Sequence, residues 1–209
     1  MKVLIADDQV LIREGLRQIL LRMPEVETVD EAANGQDVMK KVNKKKYDII
    51  ILDISMPGRS GLEILKDLKQ KRPNSAVLIL SIHPEEHYAV RVLKAGASGY
   101  INKSSASDEL EQAIRTVVAG GKYITTETAD KLVKELNKDS SKSYHDKLSD
   151  REYQVMCMIA FGKTVKEISE YLCLSMKTIS TYRTRILDKM KMKNNSEITF
   201  YAIKNELIS

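Results

Sequence analysis

The sequence predicts two folds in one chain: an α/β doubly wound five-stranded parallel sheet, then an all-α unit of four helices. Three observations carry this. Five strand-then-helix units repeat over about the first 120 residues, the rhythm stops after Gly121, and beyond a polar stretch only helical spacing remains, punctuated by helix-start signals.

In chain order, KVLIA (2–6) precedes a helix whose apolar residues Leu11, Ile12, Leu16, Ile19, Leu20 and Met23 recur at helical spacing. VETVDEAA precedes a helix from Gln36 to Lys45, and DIIIL one from Leu62 to Lys71. AVLILS (76–81) precedes Glu85 to Lys94, and SGYIN (98–102) precedes Glu109 to Val118. Gly35, Pro73, Pro84, Gly96 and Gly120-Gly121 stand where the units need turns, and Met56-Pro57-Gly58 turns the chain away after the third strand. Thr126 to Asn137 reads as a short amphipathic helix, and KDSSKSYHDK (138–147) as an exposed linker. The expected division is therefore 1–121, a joint at 122–147, and 148–209.

In the second unit, Ser149 with Glu152 and Thr164 with Glu167 have capping-box spacing, in which hydroxyl and carboxylate satisfy each other's orphan backbone N–H groups. Ser175 starts a third helix through Met190, and Asn195 or Ser196 a fourth ending near Leu207.

Composition excludes several classes. With 209 residues, 43% hydrophobic and 30% charged, the chain is neither collagen-like, disulfide-dense nor disordered. The opening MKVLIADD is too short for a signal-peptide core, and no apolar run reaches the roughly 18 residues of a membrane span. A cytoplasmic protein without membrane contact is expected, with Cys157 and Cys173 as reduced buried thiols. His83, His87 and His145 have no mutual ligand spacing.

Charge is unevenly spread. Residues 1–120 hold 18 Lys/Arg against 17 Asp/Glu, whereas Ser175 to Lys193 holds six bases (Lys177, Arg183, Arg185, Lys189, Lys191, Lys193) against Asp188 alone. A local excess of this kind reads as a polyanion contact.

In a doubly wound parallel sheet ligands bind outside the carboxyl ends of the strands, so the residues there are readable. The first strand ends in Asp7-Asp8, the third in Asp53, the fourth in Ser81 and the fifth in Asn102-Lys103. Singly, each has an ordinary reading as a cap, turn or surface charge; their coincidence at four strand ends is what decides. Acids gathered at a dry rim need a cation, and an all-oxygen set suits Mg²⁺. Asp8 and Asp53 are the expected direct ligands, with Asp7 acting through water and the Ser55 backbone carbonyl completing the set. Asp53 is the candidate nucleophile toward phosphorus, Lys103 the partner of the phosphoryl oxygens, and Ser81 a hydrogen-bonding hydroxyl.

ADD, ILDISMPGRSG, LILS and AGASGYINKSS together resemble the receiver domain of bacterial response regulators over about residues 1–120. The resemblance implies a flavodoxin-like fold, Mg²⁺-dependent phosphoryl acceptance at Asp53 from a sensor histidine kinase, and Tyr100 as an aromatic that turns inward when Ser81 moves toward the phosphoryl group. Ser104 departs from the proline common after the lysine, which bears on the local backbone.

The segment KTVKEISEYLCLSMKTISTYRTRILDKM (163–190) holds two helical patterns separated by a short break. Val165, Ile168, Tyr171 and Leu172 share one face of the first; Ile179, Ile186, Leu187 and Met190 form the packed face of the second. This is a helix-turn-helix whose second helix exposes Lys177, Ser180, Thr181, Arg183 and Thr184 to the major groove. LSDREYQVMCMIAFGKTVKEISEYLCLSMKTISTYRTRILDKMKMKNNSE resembles the LuxR-type DNA-binding domain, which with the receiver gives the NarL/FixJ class. The resemblance places Ser180, Thr181 and Thr184 at base edges, and Lys177, Thr178, Tyr182, Arg185 and Lys189 near phosphates. It also implies paired half-sites on double-stranded DNA, bound by a homodimer formed through the last helix around Ser196 to Leu207.

Two other functions use the same features. A phosphatase acting through an aspartyl phosphate needs a second aspartate two residues after the nucleophile, where this chain has Ser55, so a non-enzyme is expected. A constitutive DNA-binding regulator would have lost an acidic or lysine position, and none is lost.

Overall fold

The computed structural model describes residues 1–209 except 57, 82–84, 138–142, 206 and 209, and the backbone alone at 85–87, 127, 131 and 134–137. Expectations for Pro57, His83 and Pro84, for the side chain of His87, and for the linker at 138–142 fall outside the described residues. By its internal contacts the chain divides into Met1–Leu132 and Val133–Ser209.

In the first unit β1 (Lys2–Ala6), β2 (Thr28–Ala32), β3 (Ile49–Asp53), β4 (Ala76–Ser81) and β5 (Gly99–Asn102) alternate with α1 (Val10–Leu20), α2 (Gly35–Lys44), α3 (Gly61–Lys71), α4 (Glu85–Lys94) and α5 (Ala106–Val118). The five strands form one parallel sheet in the order β2-β1-β3-β4-β5. Every residue of β3 and β4 is buried, as a central strand covered on both faces requires. Alternation divides the side chains. Val3, Ile5, Ile49, Ile51, Leu78 and Leu80 pack with Leu16 and Leu20 of α1 and Leu110, Ala113 and Ile114 of α5, while Leu4, Ile50, Leu52, Val77 and Ile79 are buried on the opposite face. The order reverses between β1 and β3, which puts a crevice at the carboxyl ends of those two strands.

Several boundaries differ from the expected ones. The fifth helix begins at Ala106, three residues early, because Ser105 to Asp108 already makes the first turn (Asp108 N–H to the Ser105 carbonyl, 3.1 Å). Leu11, assigned to the packed stripe of α1, is 79% exposed, whereas Met23 is buried beyond the helix end. An apolar residue at helical spacing reaches the core only when its azimuth faces the sheet, and Leu11 points away.

Helix α6 (Thr126–Asn137) crosses the division between the two units. Tyr144–Lys147, expected as linker, forms a 3₁₀ turn held to the second unit by His145 Nδ1 against Tyr201 Oη at 2.9 Å. The second unit comprises α7 (Asp150–Ala160), α8 (Val165–Tyr171), α9 (Met176–Met190) and α10 (Asn195–Lys204). Both capping boxes form, at Ser149/Glu152 and Thr164/Glu167. The last helix is capped by Asn194 and ends at Lys204, earlier at both ends than expected: the Asn194 side chain accepts the Glu197 N–H at 3.0 Å and so sets the start. Ile168, Leu172, Ile179, Ile186, Met190, Ile198 and Ala202 are buried between these helices. Cys157 is buried as expected, but Cys173 is exposed: it stands in the left-handed region (φ 50°) in the turn after α8, which swings its side chain out of the packed stripe.

Candidate functional site

The carboxyl edge of the first unit brings the predicted residues together. Asp7 follows β1, Asp53 ends β3, Ser81 ends β4 and Lys103 follows β5. Carboxylate oxygens of Asp7, Asp8 and Asp53 all lie within 4.8 Å of one another. Asp7 and Asp53 are each 1% exposed, whereas Asp8 is exposed, so only two of the three acids stand at a dry rim.

Lys103 supplies the counter-charge. Its Nζ donates to Asp53 Oδ2 at 2.9 Å and lies 2.6 Å from Asp7 Oδ2. The second approach falls outside hydrogen-bonding geometry, and Asp7 Oδ2 has no hydrogen-bond partner, so that contact is Coulombic. Backbone groups hold the remaining oxygens: the Ser55 N–H donates to Asp53 Oδ1 and the Gln9 N–H to Asp7 Oδ1, each at 2.8 Å. The Lys103 N–H donates to the Ser81 carbonyl at 2.7 Å, which ties β4 to the residue that carries the ammonium.

Burial pushes the Asp53 carboxyl up to about 6, against the pull of Lys103, and the neighbouring Asp7 charge adds to the rise. Burial disfavours the Lys103 ammonium too, but the charge of Asp53, the close contact with Asp7 and the hydrogen bond to Asp53 more than offset this, and the group is raised. Three carboxylates thus face one ammonium. The excess is negative and the donors are all oxygen, a set that fits a hard divalent cation.

Ser81 and Tyr100 are both buried, at 0% and 1% exposure, so the aromatic already lies inside the fold. Ser104, where receivers commonly have proline, uses the N–H a proline lacks: its amide and hydroxyl both donate to Asn102 Oδ1, at 3.0 and 2.9 Å. That turn fixes the backbone beside Lys103. A residue the motifs did not single out also bears on the site. Arg13 of α1 donates through Nη1 to the Asp7 carbonyl at 2.9 Å and through Nε to Glu31 at 3.0 Å, clamping the acidic turn. Its signal in the sequence was only an arginine one turn into the first helix.

In the second unit α9 carries the predicted residues. Ile179, Ile186 and Met190 face the core. Lys177, Ser180, Thr181, Thr184, Arg185 and Lys189 are exposed, and Thr178, Tyr182 and Arg183 are half-buried. Two of the cations are tied to other helices of the unit. Arg183 Nε donates to Asn195 Oδ1 at 2.6 Å, and Lys189 Nζ to Glu152 Oε2 at 2.6 Å. Arg183 thus ties α9 to α10, and Lys189 ties it to the start of α7.

Residues 3–115 match the response regulator receiver domain, and residues 146–202 match the bacterial regulatory proteins of the luxR family. The chain belongs to the NarL/FixJ-class response regulators. It is 36% identical over 208 residues to response regulator GacA of Pseudomonas aeruginosa, covering 99% of this chain and 97% of that protein. It is 36% identical over 206 residues to response regulator UvrY of Escherichia coli, covering 98% and 94%. Among solved structures it resembles RcsB from Salmonella enterica serovar Typhimurium bound to promoter rprA in the presence of phosphomimetic BeF3−, with TM-score 0.62, 26% identity and coverage of 96% and 98%. The regulator is a DNA-binding protein of a two-component system and acts on transcription. No helix among its described residues is long and apolar enough to cross a membrane.

Proposed function

We propose that a sensor histidine kinase transfers a phosphoryl group to Asp53 and that the charged regulator binds paired half-sites on double-stranded DNA as a homodimer. The observation that carries this reading is the double contact of Lys103 with Asp53 and Asp7. In the transfer, the bond from phosphorus to the kinase histidine nitrogen breaks as a bond to an Asp53 oxygen forms. Asp53 is placed for this by the Ser55 N–H, which leaves its other oxygen to Lys103. As phosphoryl oxygens arrive, Lys103 turns its ammonium to them.

Asp8, Asp53 and the Ser55 carbonyl would hold Mg²⁺ in this reading, and Asp7 would act on it through water. When bound, the ion neutralises charge that develops on the phosphoryl oxygens. Ser81 then bonds one of these oxygens, and Tyr100 fills the space it leaves. The role is acceptance, not turnover, so the protein is no enzyme, and it works in the cytoplasm.

In this reading residues 1–121 form the receiver and 148–209 the DNA-binding domain, and the 3₁₀ turn Tyr144–Lys147 at the end of the expected linker 122–147 joins the latter. Helix α9 enters the major groove, with Ser180, Thr181 and Thr184 toward base edges and Lys177, Thr178, Tyr182 and Arg185 toward the backbone; Lys189, expected there too, is held by Glu152, and Arg183 by Asn195. Helix α10 supports a homodimer: Phe200 and Ile203, three residues apart on one face, are 69% and 59% exposed.

The test is transfer of radiolabelled phosphate from a small phosphodonor with Mg²⁺. Wild type becomes labelled in an acid-stable, base-labile form and Asp53→Asn does not; equal labelling of the two overturns the assignment.

A further inference from the structure

The outward face of α9 has an unusual chemistry for a helix in a basic segment. Met176, Ser180 and Thr184 follow one another at intervals of four, with Lys177 and Thr181 in the adjacent row, so they form one strip. Met176, at the first position of the helix, is 53% exposed and was absent from the expected contact set. Thr181 Oγ1 donates to the Lys177 carbonyl at 2.9 Å, and Thr184 Oγ1 to the Ser180 carbonyl at 3.1 Å.

A hydroxyl has a single proton. With that proton used inside the helix, each threonine offers the outside an acceptor oxygen and a methyl group. In the major groove an A·T pair presents the adenine N6 amino donor beside the thymine 5-methyl group. Guanine presents two acceptors and its pair carries no methyl. An acceptor rejects guanine but also suits the cytosine N4 amino group, so the adjacent methyl, matched only by thymine, is what selects A·T. The residues that usually read guanine are arginine and lysine; on α9 Arg183 Nε and Lys189 Nζ are tied inside the unit, while the exposed Lys177 and Arg185 belong to the phosphate-facing set of the proposed docking.

We propose that Met176, Thr181 and Thr184 read A·T pairs, the methyl and thioether groups against thymine methyls and the threonine oxygens toward adenine amino groups. Met176 is thereby a specificity-determining residue. The inference rests on the reading that α9 lies in the major groove.

The experiment uses the full-length chain, with and without a small phosphodonor and Mg²⁺, to select duplexes from a random pool. Each thymine of the enriched half-site is then replaced by uracil, which deletes only the 5-methyl group. Binding is expected to weaken about fourfold at the contacted positions, the equivalent of exposing one buried methyl. Thr184→Ser, which keeps the hydroxyl and removes the methyl, loses that sensitivity at one position, and Met176→Ala loses it at another. Both residues are exposed, and circular dichroism checks that the variants fold.

Enriched half-sites that are G·C at every contacted position, or unchanged affinity with uracil throughout, overturn the inference while leaving α9 in the groove. If Lys177→Ala and Thr184→Ser alter neither affinity nor salt dependence on the selected DNA, the groove reading itself fails and the inference with it.

Discussion

Lys103 Nζ lies 2.9 Å from Asp53 Oδ2 and 2.6 Å from Asp7 Oδ2, with its side chain only 7% exposed, so one buried cation serves two buried anions. Removing it leaves both carboxylates without a counter-charge in a dry site. Lys103→Gln is expected to cost about 3 kcal/mol in urea unfolding without divalent cation, with part of the loss restored by Mg²⁺. Equal unfolding midpoints for variant and wild type would show that the pair contributes nothing.

A tight turn holds Asp53 from below. A Cβ on Gly61 would lie 2.5 Å from Ile54 Cα and 2.6 Å from the Asp53 carbonyl oxygen, both backbone atoms that have no rotamer to yield. Gly61→Ala therefore has to displace the strand end itself. The expected loss is about 2 kcal/mol or more, with slower labelling of Asp53; a stable variant labelled at the wild-type rate contradicts this.

In the second unit Glu152 is the titrating joint. Burial pushes its carboxyl up, but the hydrogen bond from Lys189 and those from Ser149 pull it below its ordinary value of 4.5. A carboxyl lowered in the folded state contributes stability that is present above the unfolded value and lost as pH falls through the folded one. Glu152→Gln should cost about 1 to 2 kcal/mol at neutral pH, a modest figure because Lys189 is 41% exposed and water screens the pair. The gap between variant and wild type should close as the pH falls below 4.5 in thermal unfolding, and a gap constant with pH would assign the loss to packing.

Lys177 and Lys189, both basic and both on α9, should separate in a salt titration of DNA binding. Lys177→Ala is expected to lower the slope of log affinity against log salt by about one while weakening all sequences alike. Lys189→Ala should lower stability and leave the slope nearly unchanged, since its ammonium is held by Glu152. Equal slopes for the two variants would return Lys189 to the phosphate-facing set.

Helix α10 yields a prediction about assembly. Phe200→Ser removes the most exposed apolar side chain of the helix and should not disturb the core, where Ile198 and Ala202 pack. The folded variant is expected to shift from two half-sites to one in sedimentation of the DNA complex; unchanged stoichiometry would place the dimer contact elsewhere.

Most of the site was legible because it lies at strand ends. Aliphatic runs announce parallel strands, and the residue after each run is placed by topology alone, so Asp7, Asp53, Ser81 and Lys103 were assigned from spacing. Capping boxes were equally readable, since hydroxyl and carboxylate three apart meet through local geometry. Leu11, Cys173 and Arg13 were not, because their roles depend on which way one helix turn or one left-handed residue aims a side chain.

By itself the sequence determined the order of strands and helices, the edge at which the acids and the lysine gather, and the helix that carries the basic excess. These follow from periodicity and polarity, which act over neighbouring residues. Only the tertiary structure decided how the charges are shared: Lys103 bridging Asp7 and Asp53 while Asp8 stays in water, Arg13 clamping the Asp7 carbonyl, and Lys189 held by Glu152. Which ion pairs form inside a fold depends on distances between segments far apart in the chain and on the water excluded between them, and neither is written in local pattern.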